Sequence, residues 1–139
     1  MATRREDILI EVGRILEGSK LFKKVYKNIT PIWTQVKQVP AASYLYTTED
    51  VEVSSGDRLR GKLKLMIYIT NKQKHSDDFE DILSTLITQV EFLIDRNEFL
   101  KCNTIETLVT NIKQDGGILH PYAVAQLTVT IDYLKLMEA

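Results

Sequence analysis

The stretch PYAVAQLTVTIDYL, residues 121–134, alternates between apolar and polar side chains. Over residues 123–133 every odd position is apolar, whereas most even positions are polar. A period of two with one apolar face is typical of a half-buried β-strand. The turn sequence Asp115-Gly116-Gly117 lies between this stretch and an earlier alternating one. We therefore predict an antiparallel hairpin formed by residues 103–114 and 120–134.

A second alternating stretch, GDRLRGKLKLMIYIT, predicts a strand over residues 58–70. One face is lined by leucine and isoleucine, and the other begins with Arg58, Arg60, Lys62 and Lys64. At spacing two, these side chains would present four cations along about 20 Å of one side of a sheet. The strand is more than twice the usual length of about five or six residues. Part of it is therefore expected to project beyond the domain.

The remaining elements follow from helical spacing and turn residues. Thr3 and Glu6 have the spacing of a capping box before a first amphipathic helix. Acidic residues in a first turn, followed by a wide apolar stripe, predict a second helix that lies on the sheet. Residues 48–57 are polar and acidic, which predicts an exposed, mobile loop. The other predicted elements are a helix from Arg4 to Glu17, a short strand around 22–27, a strand over 41–47 and a helix from Ser76 to about Asp95.

This order of elements predicts an α+β fold. We expect a single antiparallel or mixed β-sheet with two amphipathic helices packed on one face. The 139 residues, of which 44% are apolar and 27% charged, have the size and composition of one globular domain over residues 1–139. At this length folding buries roughly two thirds of the extended-chain surface, so the core needs no disulfide or metal.

The chain lacks the residue patterns that catalysis, metal binding or nucleotide binding requires. The single cysteine, Cys102, is predicted to be a small residue at a strand edge, and only His75 and His120 could serve it as a base. No glycines cluster before a helix, as a phosphate loop would require. We therefore predict no enzyme, no catalytic residue, no cofactor and no metal site. The roles of Cys102, His75 and His120 stay open.

The cysteine count and the apolar runs indicate where the protein is found. One cysteine excludes an internal disulfide. Residues 1–5 lead into a charged amphipathic stretch rather than an apolar signal core. No run approaches the ~20 apolar residues that cross a bilayer. We expect a protein of the cytoplasm, or of something assembled there, with no membrane partner.

The net charge of −1 is unevenly distributed. Residues 1–70 carry +4, from 12 Lys and Arg against 8 Asp and Glu, and residues 71–139 carry −5. Such asymmetry is typical of a nucleic-acid face or of a self-complementary interface. The small net charge disfavours a dedicated nucleic-acid-binding protein. The basic side chains of strand 58–70 are thus candidates for DNA contact or for a subunit interface; alternatively, they form a solvated strand face or protect an exposed edge from aggregation.

The order of elements carries a resemblance. A capped first helix is followed by GDRLRGKLKLMIYIT, by the helix SDDFEDILSTLITQVEFLI and by the closing hairpin IETLVTNIKQDGGILHPYAVAQLTVTIDYL. Over nearly the whole chain this arrangement resembles the tail-terminator, or tail-completion, proteins of long-tailed bacteriophages and prophages, the class of the lambda terminator. The resemblance implies a small α+β subunit without catalytic residues. It implies a homo-oligomeric ring, usually a hexamer, that caps the tail tube, stops its polymerisation and provides the head-joining surface.

The resemblance also implies partners and a location. The partners are further copies, the tail-tube protein and a head-completion or connector protein, and DNA passes non-specifically through the lumen. The location is the virion tail, after assembly in the host bacterial cytoplasm. Another head–tail connector is the nearest alternative, because related folds serve both positions. A small nucleic-acid-binding module using residues 58–64 is a second alternative, and a small α+β enzyme is the least favoured.

Overall fold

The computed structural model describes residues 2–27, 38–54, 56, 58–72, 79–114 and 122–136. The described elements combine helices with a β-sheet, which confirms the predicted α+β class. In chain order they are β1 (Ala2–Thr3), α1 (Arg5–Gly18), β2 (Lys24–Lys27), β3 (Ala41–Ser54), β4 (Arg58–Lys72), α2 (Phe79–Arg96), α3 (Glu98–Asn103), β5 (Glu106–Gln114) and β6 (Tyr122–Lys135).

The described strands form one mixed sheet around β6. Its neighbour on one side is β4, and on the other side it pairs with both β5 and β1. β3 follows β4, and β2 pairs with the first four residues of β3. β1 and β2 join in parallel, whereas the other pairings are antiparallel. The predicted closing hairpin is therefore confirmed as the pairing of β5 with β6, although its turn, 115–121, lies outside the described residues.

Both long helices pack against the same side of the sheet, here called the helix face. α1 lies over β2 and β3, and α2 lies over β6, β4 and β5. This confirms the predicted arrangement of two amphipathic helices on one face. Each fully buried leucine or isoleucine contributes about 1.5–3 kcal/mol relative to an exposed one. The core residues with no exposed surface include Ile8, Leu63, Leu65, Ile67, Ile69, Leu83, Leu127 and Ile131.

The predicted mobile loop at 48–57 is wrong for residues 48–54, which form the second half of β3. A β-bulge explains the error. Between Tyr46 and Thr48 strand β3 advances two residues while β4 advances one, so Thr47 is an extra residue. The bulge interrupts the alternation that identifies a strand. The acidic residues beyond it are strand residues paired with β4.

The predicted projection of strand 58–70 beyond the domain is also wrong. β4 pairs with β3 from its first residue and with β6 from its second, and both pairings continue to residue 70 or beyond. The predicted capping box fails as well. Thr3 does not cap the helix, because it belongs to β1 and its hydroxyl donates to the Asn103 carbonyl oxygen at 3.0 Å. The N-cap residue is Arg4, which makes no side-chain capping hydrogen bond.

A short helix, α3, precedes β5 and was not predicted. The side chain of its N-cap residue, Asn97, accepts a hydrogen bond from the Leu100 N–H at 2.9 Å. Cys102 lies on this helix and is exposed, so its predicted position at a strand edge is wrong. His75, His120 and the predicted helix start at Ser76 lie outside the described residues.

Candidate assembly surfaces

The basic residues predicted as a candidate site lie on the face of β4 that is turned away from the helices, here called the outer face. Arg58, Lys62 and Lys64 are exposed, and 39% of the Arg60 side chain is exposed. Alternation along β4 brings the four side chains onto one face.

Acidic side chains from both neighbouring strands share this face. Asp50 and Glu52 of β3 lie directly opposite Lys62 and Arg60. On the other side of β4, Asp132 of β6 also lies opposite Lys62. Opposite charges that face each other across a strand pair attract. This part of the outer face is therefore a ladder of mixed charge rather than a basic patch.

Arg60 and Asp132 form the strongest contact of this ladder. Arg60 Nε donates to Asp132 Oδ1 at 2.8 Å, and Arg60 Nη2 donates to Oδ2 of the same carboxylate. Hydrogen bonds from Arg60 lower the pKa of Asp132, while burial opposes them. A DNA phosphate would have to compete with this bidentate carboxylate for the guanidinium. The contact disfavours the nucleic-acid-binding alternative at residues 58–64.

A buried carboxylate occupies the helix face at a neighbouring level of the sheet. The Glu49 side chain is only 6% exposed. Arg5 Nη1 and Lys135 Nζ each donate to its Oε2 at 2.8 Å, and the Tyr133 hydroxyl donates to its Oε1. Burial raises the pKa of Glu49, whereas the hydrogen bonds from Lys135, Tyr133 and Arg5 lower it. Together the hydrogen bonds outweigh burial, so the pKa lies below the usual 4.5.

Glu49, Arg5, Tyr133 and Lys135 are here called the Glu49 cluster. Gly61 provides the space in which this cluster packs. A Cβ atom at residue 61 would lie 2.8 Å from Tyr133 Cε1 and 2.9 Å from Glu49 Oε1. The Tyr133 side chain is fully buried, and burial followed by the hydrogen bond to Glu49 raises its pKa. Only glycine lets the backbone of β4 approach this closely without displacing the ring or the carboxylate.

The Glu49 cluster connects the start of α1 to β3, β4 and β6. Its carboxylate is enclosed and accepts hydrogen bonds at both oxygens, which indicates a structural role. Sequence periodicity does not reveal it, because the acidic composition around Glu49 predicts a loop. One signal was present: Gly61 interrupts the leucine series of strand 58–70, and a lone glycine inside a strand pattern indicates close backbone approach.

The described residues hold neither a cluster of metal-ligating side chains nor a membrane-spanning helix. Within them, no three or more His, Cys, Asp or Glu side chains converge as metal ligands would. In the same parts of the chain, none of the helices combines the length and the apolar character that crossing a bilayer requires.

Large apolar side chains are exposed along the two opposite edges of the sheet. No described strand pairs with the outer side of β5, or with β3 beyond Tyr44. At one edge, here called the β3 flank, the exposed apolar residues are Ile10, Tyr46, Val51 and Val53. At the other edge, the β5 flank, they are Phe92, Ile105, Leu108 and Ile112. Clustered exposed apolar residues commonly mark protein–protein contacts.

Comparison with known proteins identifies the class to which this fold belongs. A family model described as Bacteriophage Tail Tube Terminator Protein matches residues 5–139, so the chain belongs to this family. A related protein is the tail tube terminator protein p142 of Escherichia phage T5, which is 22% identical over 140 aligned residues. The alignment covers 88% of this chain and 86% of that protein. The resemblance to phage tail terminators inferred from the order of elements is confirmed.

Proposed function

We propose that the chain is a structural subunit that caps the end of a phage tail tube as a homo-oligomeric ring, with six copies as the expected number. The ring stops tube polymerisation and then provides the surface that joins the head through a head-completion or connector protein. DNA passes through its lumen. The location is the virion tail, after assembly in the host cytoplasm. Membership of the tail tube terminator family supports the tail-tube role.

The presence of unlike flanks on opposite edges of one sheet is the observation that supports the ring. A contact between two different patches is heterologous, and it generates a closed ring when the rotation between copies permits closure. A two-fold dimer would instead need one patch that complements itself. Four of the exposed apolar residues lie on each flank. Each copy can therefore contact two neighbours.

Native mass spectrometry of the purified chain tests ring formation. We expect a closed oligomer at micromolar concentration. Phe92→Lys should reduce it to monomers, because this side chain is 56% exposed at the centre of the β5 flank. The matched control is Leu136→Lys, since Leu136 is 39% exposed and belongs to neither flank. A monomeric wild-type chain at concentrations used for tail assembly would contradict the proposal.

Tube growth tests the terminator activity directly. Tail-tube protein is allowed to polymerise with and without the chain, and tube lengths are measured by electron microscopy. We expect tubes to stop elongating when the wild-type chain is added, so that their length is set by the time of addition. The Phe92→Lys variant should leave tubes as long as those grown without any chain. Tubes that keep elongating in the presence of wild-type rings would rule out termination while leaving ring formation intact.

A further inference from the structure

We infer that neighbouring copies in the ring are joined by a charge-complementary contact: lysines along β2 of one copy lie against the acidic groove between α2 and β5 of the next. This inference rests on the proposed ring and assigns it two surfaces. The occupant of each surface is a second copy of the same chain.

The first surface, here called the β2 lysines, consists of Lys24 and Lys27 of β2 and of Lys23, which directly precedes the strand. All three side chains are exposed, and none forms an ion pair with another described residue. The Lys24 ammonium lies 5.8 Å from the centroid of the Tyr26 ring. Lys27 and Ile10, which is 49% exposed, line a shallow groove between α1 and β2. The surface thus combines unpaired cations with exposed apolar area.

Two further charged residues line the groove beside Lys27, namely Arg14 and Glu17. Arg14 forms an ion pair with Glu11, in which its Nη1 donates to Glu11 Oε2 at 3.1 Å. Glu17 is the one carboxylate among the described lining residues. The balance on this surface is therefore basic.

The second surface, here called the α2–β5 groove, lies at the opposite edge of the sheet. α2 contributes Glu91, Phe92 and Asp95, and β5 contributes Leu108 among its lining residues. Within the described part of the chain, neither carboxylate forms an ion pair. Phe92 and Leu108 are 56% and 50% exposed. Unpaired acids thus border an exposed apolar centre.

One cation lies close to this groove. The Arg96 guanidinium lies 4.7 Å from the centroid of the Phe92 ring. With Glu91 and Asp95 against Arg96, the balance around the α2–β5 groove is acidic.

The positions of the two surfaces suit a head-to-tail contact. β2 and β5 are the outermost strands on opposite edges of the sheet, four strand spacings apart, or roughly 19 Å. Rotation about one axis can therefore bring β2 of one copy beside the α2–β5 groove of the next. Ile10 would then pack against Phe92 and Leu108, with lysines and carboxylates around them. An apolar centre with a charged rim is the usual anatomy of such interfaces, and the charges fix which patches meet.

Charge exchange tests the inference. The variants Lys24→Glu/Lys27→Glu and Glu91→Lys/Asp95→Lys each place like charges across the contact. We expect each to weaken the junction at least about 100-fold, because opposed like charges disfavour association strongly. The variant that carries all four substitutions should recover the oligomer, because attraction is restored with the signs exchanged. Native mass spectrometry reads all three, and circular dichroism confirms that each is folded.

Mixing the two double variants gives an independent readout. Each keeps one native surface, and the two substituted surfaces are complementary to one another, so the mixture should form alternating rings with equal numbers of the two variants. The wild-type junction should weaken between 50 and 500 mM salt, since screening over a shorter Debye length reduces the attraction. Failure of the four-fold variant to reassemble, or a salt-independent junction, would overturn the inference.

The matched control is Arg58→Glu/Lys64→Glu, which makes the same change in charge on the outer face. Arg58 is opposite Ser54, and Lys64 is opposite Thr48 and Thr130, so no carboxylate directly faces either position. We expect this control to keep the wild-type oligomer. If only the control loses the oligomer, the contact between copies lies on the outer face and the inference is wrong. If the wild-type chain forms rings that no exchange of charge affects, the inference fails and the proposed function stands.

Discussion

The Glu49 cluster and the Arg60–Asp132 pair lie at neighbouring levels of the sheet, on its opposite faces. Each holds a carboxylate with an arginine, but their surroundings differ. On the helix face, Glu49 is 6% exposed and accepts hydrogen bonds from Arg5, Tyr133 and Lys135. On the outer face, Asp132 is 13% exposed and its guanidinium partner is 39% exposed. Water can therefore replace a lost partner on the outer face far more readily than on the helix face.

This difference shows that the number of ion pairs says little about stability unless burial is known. Exposed pairs contribute little, because water and salt solvate both charges in the unfolded and the folded state. Breaking a buried pair is more harmful, because the remaining charge has lost its partner without regaining its hydration. We therefore expect the helix-face cluster to hold the start of α1 on the sheet, and the outer-face ladder mainly to set surface charge.

The largest effect is expected from Glu49→Gln, which removes the carboxylate charge and leaves Arg5 and Lys135 without their partner. Both cations remain partly solvated, so we expect the free energy of unfolding to fall by about 2–4 kcal/mol. Urea denaturation at pH 7 measures it. Asp50→Asn is the matched control, because the neighbouring residue is exposed on the outer face. Equal losses in the two variants would show that burial does not distinguish the two faces.

Gly61→Ala tests the packing of the same cluster without changing any charge. The added Cβ would overlap the Tyr133 ring and the Glu49 carboxylate, so we expect a loss of about 1–3 kcal/mol. Gly18→Ala is a suitable control, since a Cβ there meets no atom within 4 Å. Urea denaturation measures both variants. A Gly61→Ala variant as stable as the wild type would mean that the cluster can shift to make room.

The pH dependence of stability separates the charge of Glu49 from its packing. Because the folded-state pKa of Glu49 lies below its usual 4.5, its contribution is fully present above that pH and is lost as the pH falls through the folded-state pKa. We expect the difference in unfolding free energy between the wild type and Glu49→Gln to be constant from pH 7 to about 5 and to shrink below. A difference that persists unchanged at pH 3 would assign the effect to packing alone.

The smallest effect on stability is expected from Asp132→Asn on the outer face. The folded-state pKa of Asp132 is lowered by Arg60, but the guanidinium can turn to water when the carboxylate charge is removed. We expect a smaller change in the denaturation midpoint than for Gly61→Ala. The same variant should elute from heparin at higher salt, since it leaves Arg60 without its counter-charge. Unchanged elution would indicate that the outer face contacts polyanions independently of Arg60.

Sequence periodicity predicted the elements whose pattern is uninterrupted. β4, β6 and the apolar stripe of α2 each keep one period along their length, so their faces could be assigned from residue spacing. β1 has two residues and forms only by pairing with the distant end of β6. α3 has six, which is too few for a helical period to be recognised.

The candidate surfaces were predicted only in part, because they depend on the register between distant strands. Alternation placed Arg60 and Lys62 on one face, but the carboxylates opposite them come from β3 and β6. The sequence gives no direct sign of that pairing. The acidic composition of residues 48–57 favours a loop, whereas in the sheet Asp50 and Glu52 lie opposite Lys62 and Arg60 of β4.

Thr47 has a consequence that resembles a change of reading frame. Its backbone is the one extra residue in β3, and its hydroxyl donates to the Lys64 carbonyl oxygen at 3.4 Å. Regular pairing of Thr47 with Lys64 would remove the bulge, so each later residue of β3 would move by one position along β4 and exchange faces, just as one inserted base changes every codon downstream. Glu49 would turn outward, and Asp50 and Glu52 would turn toward the helices. The bulge that accommodates this one residue thus determines which acids of this strand are buried and which meet solvent.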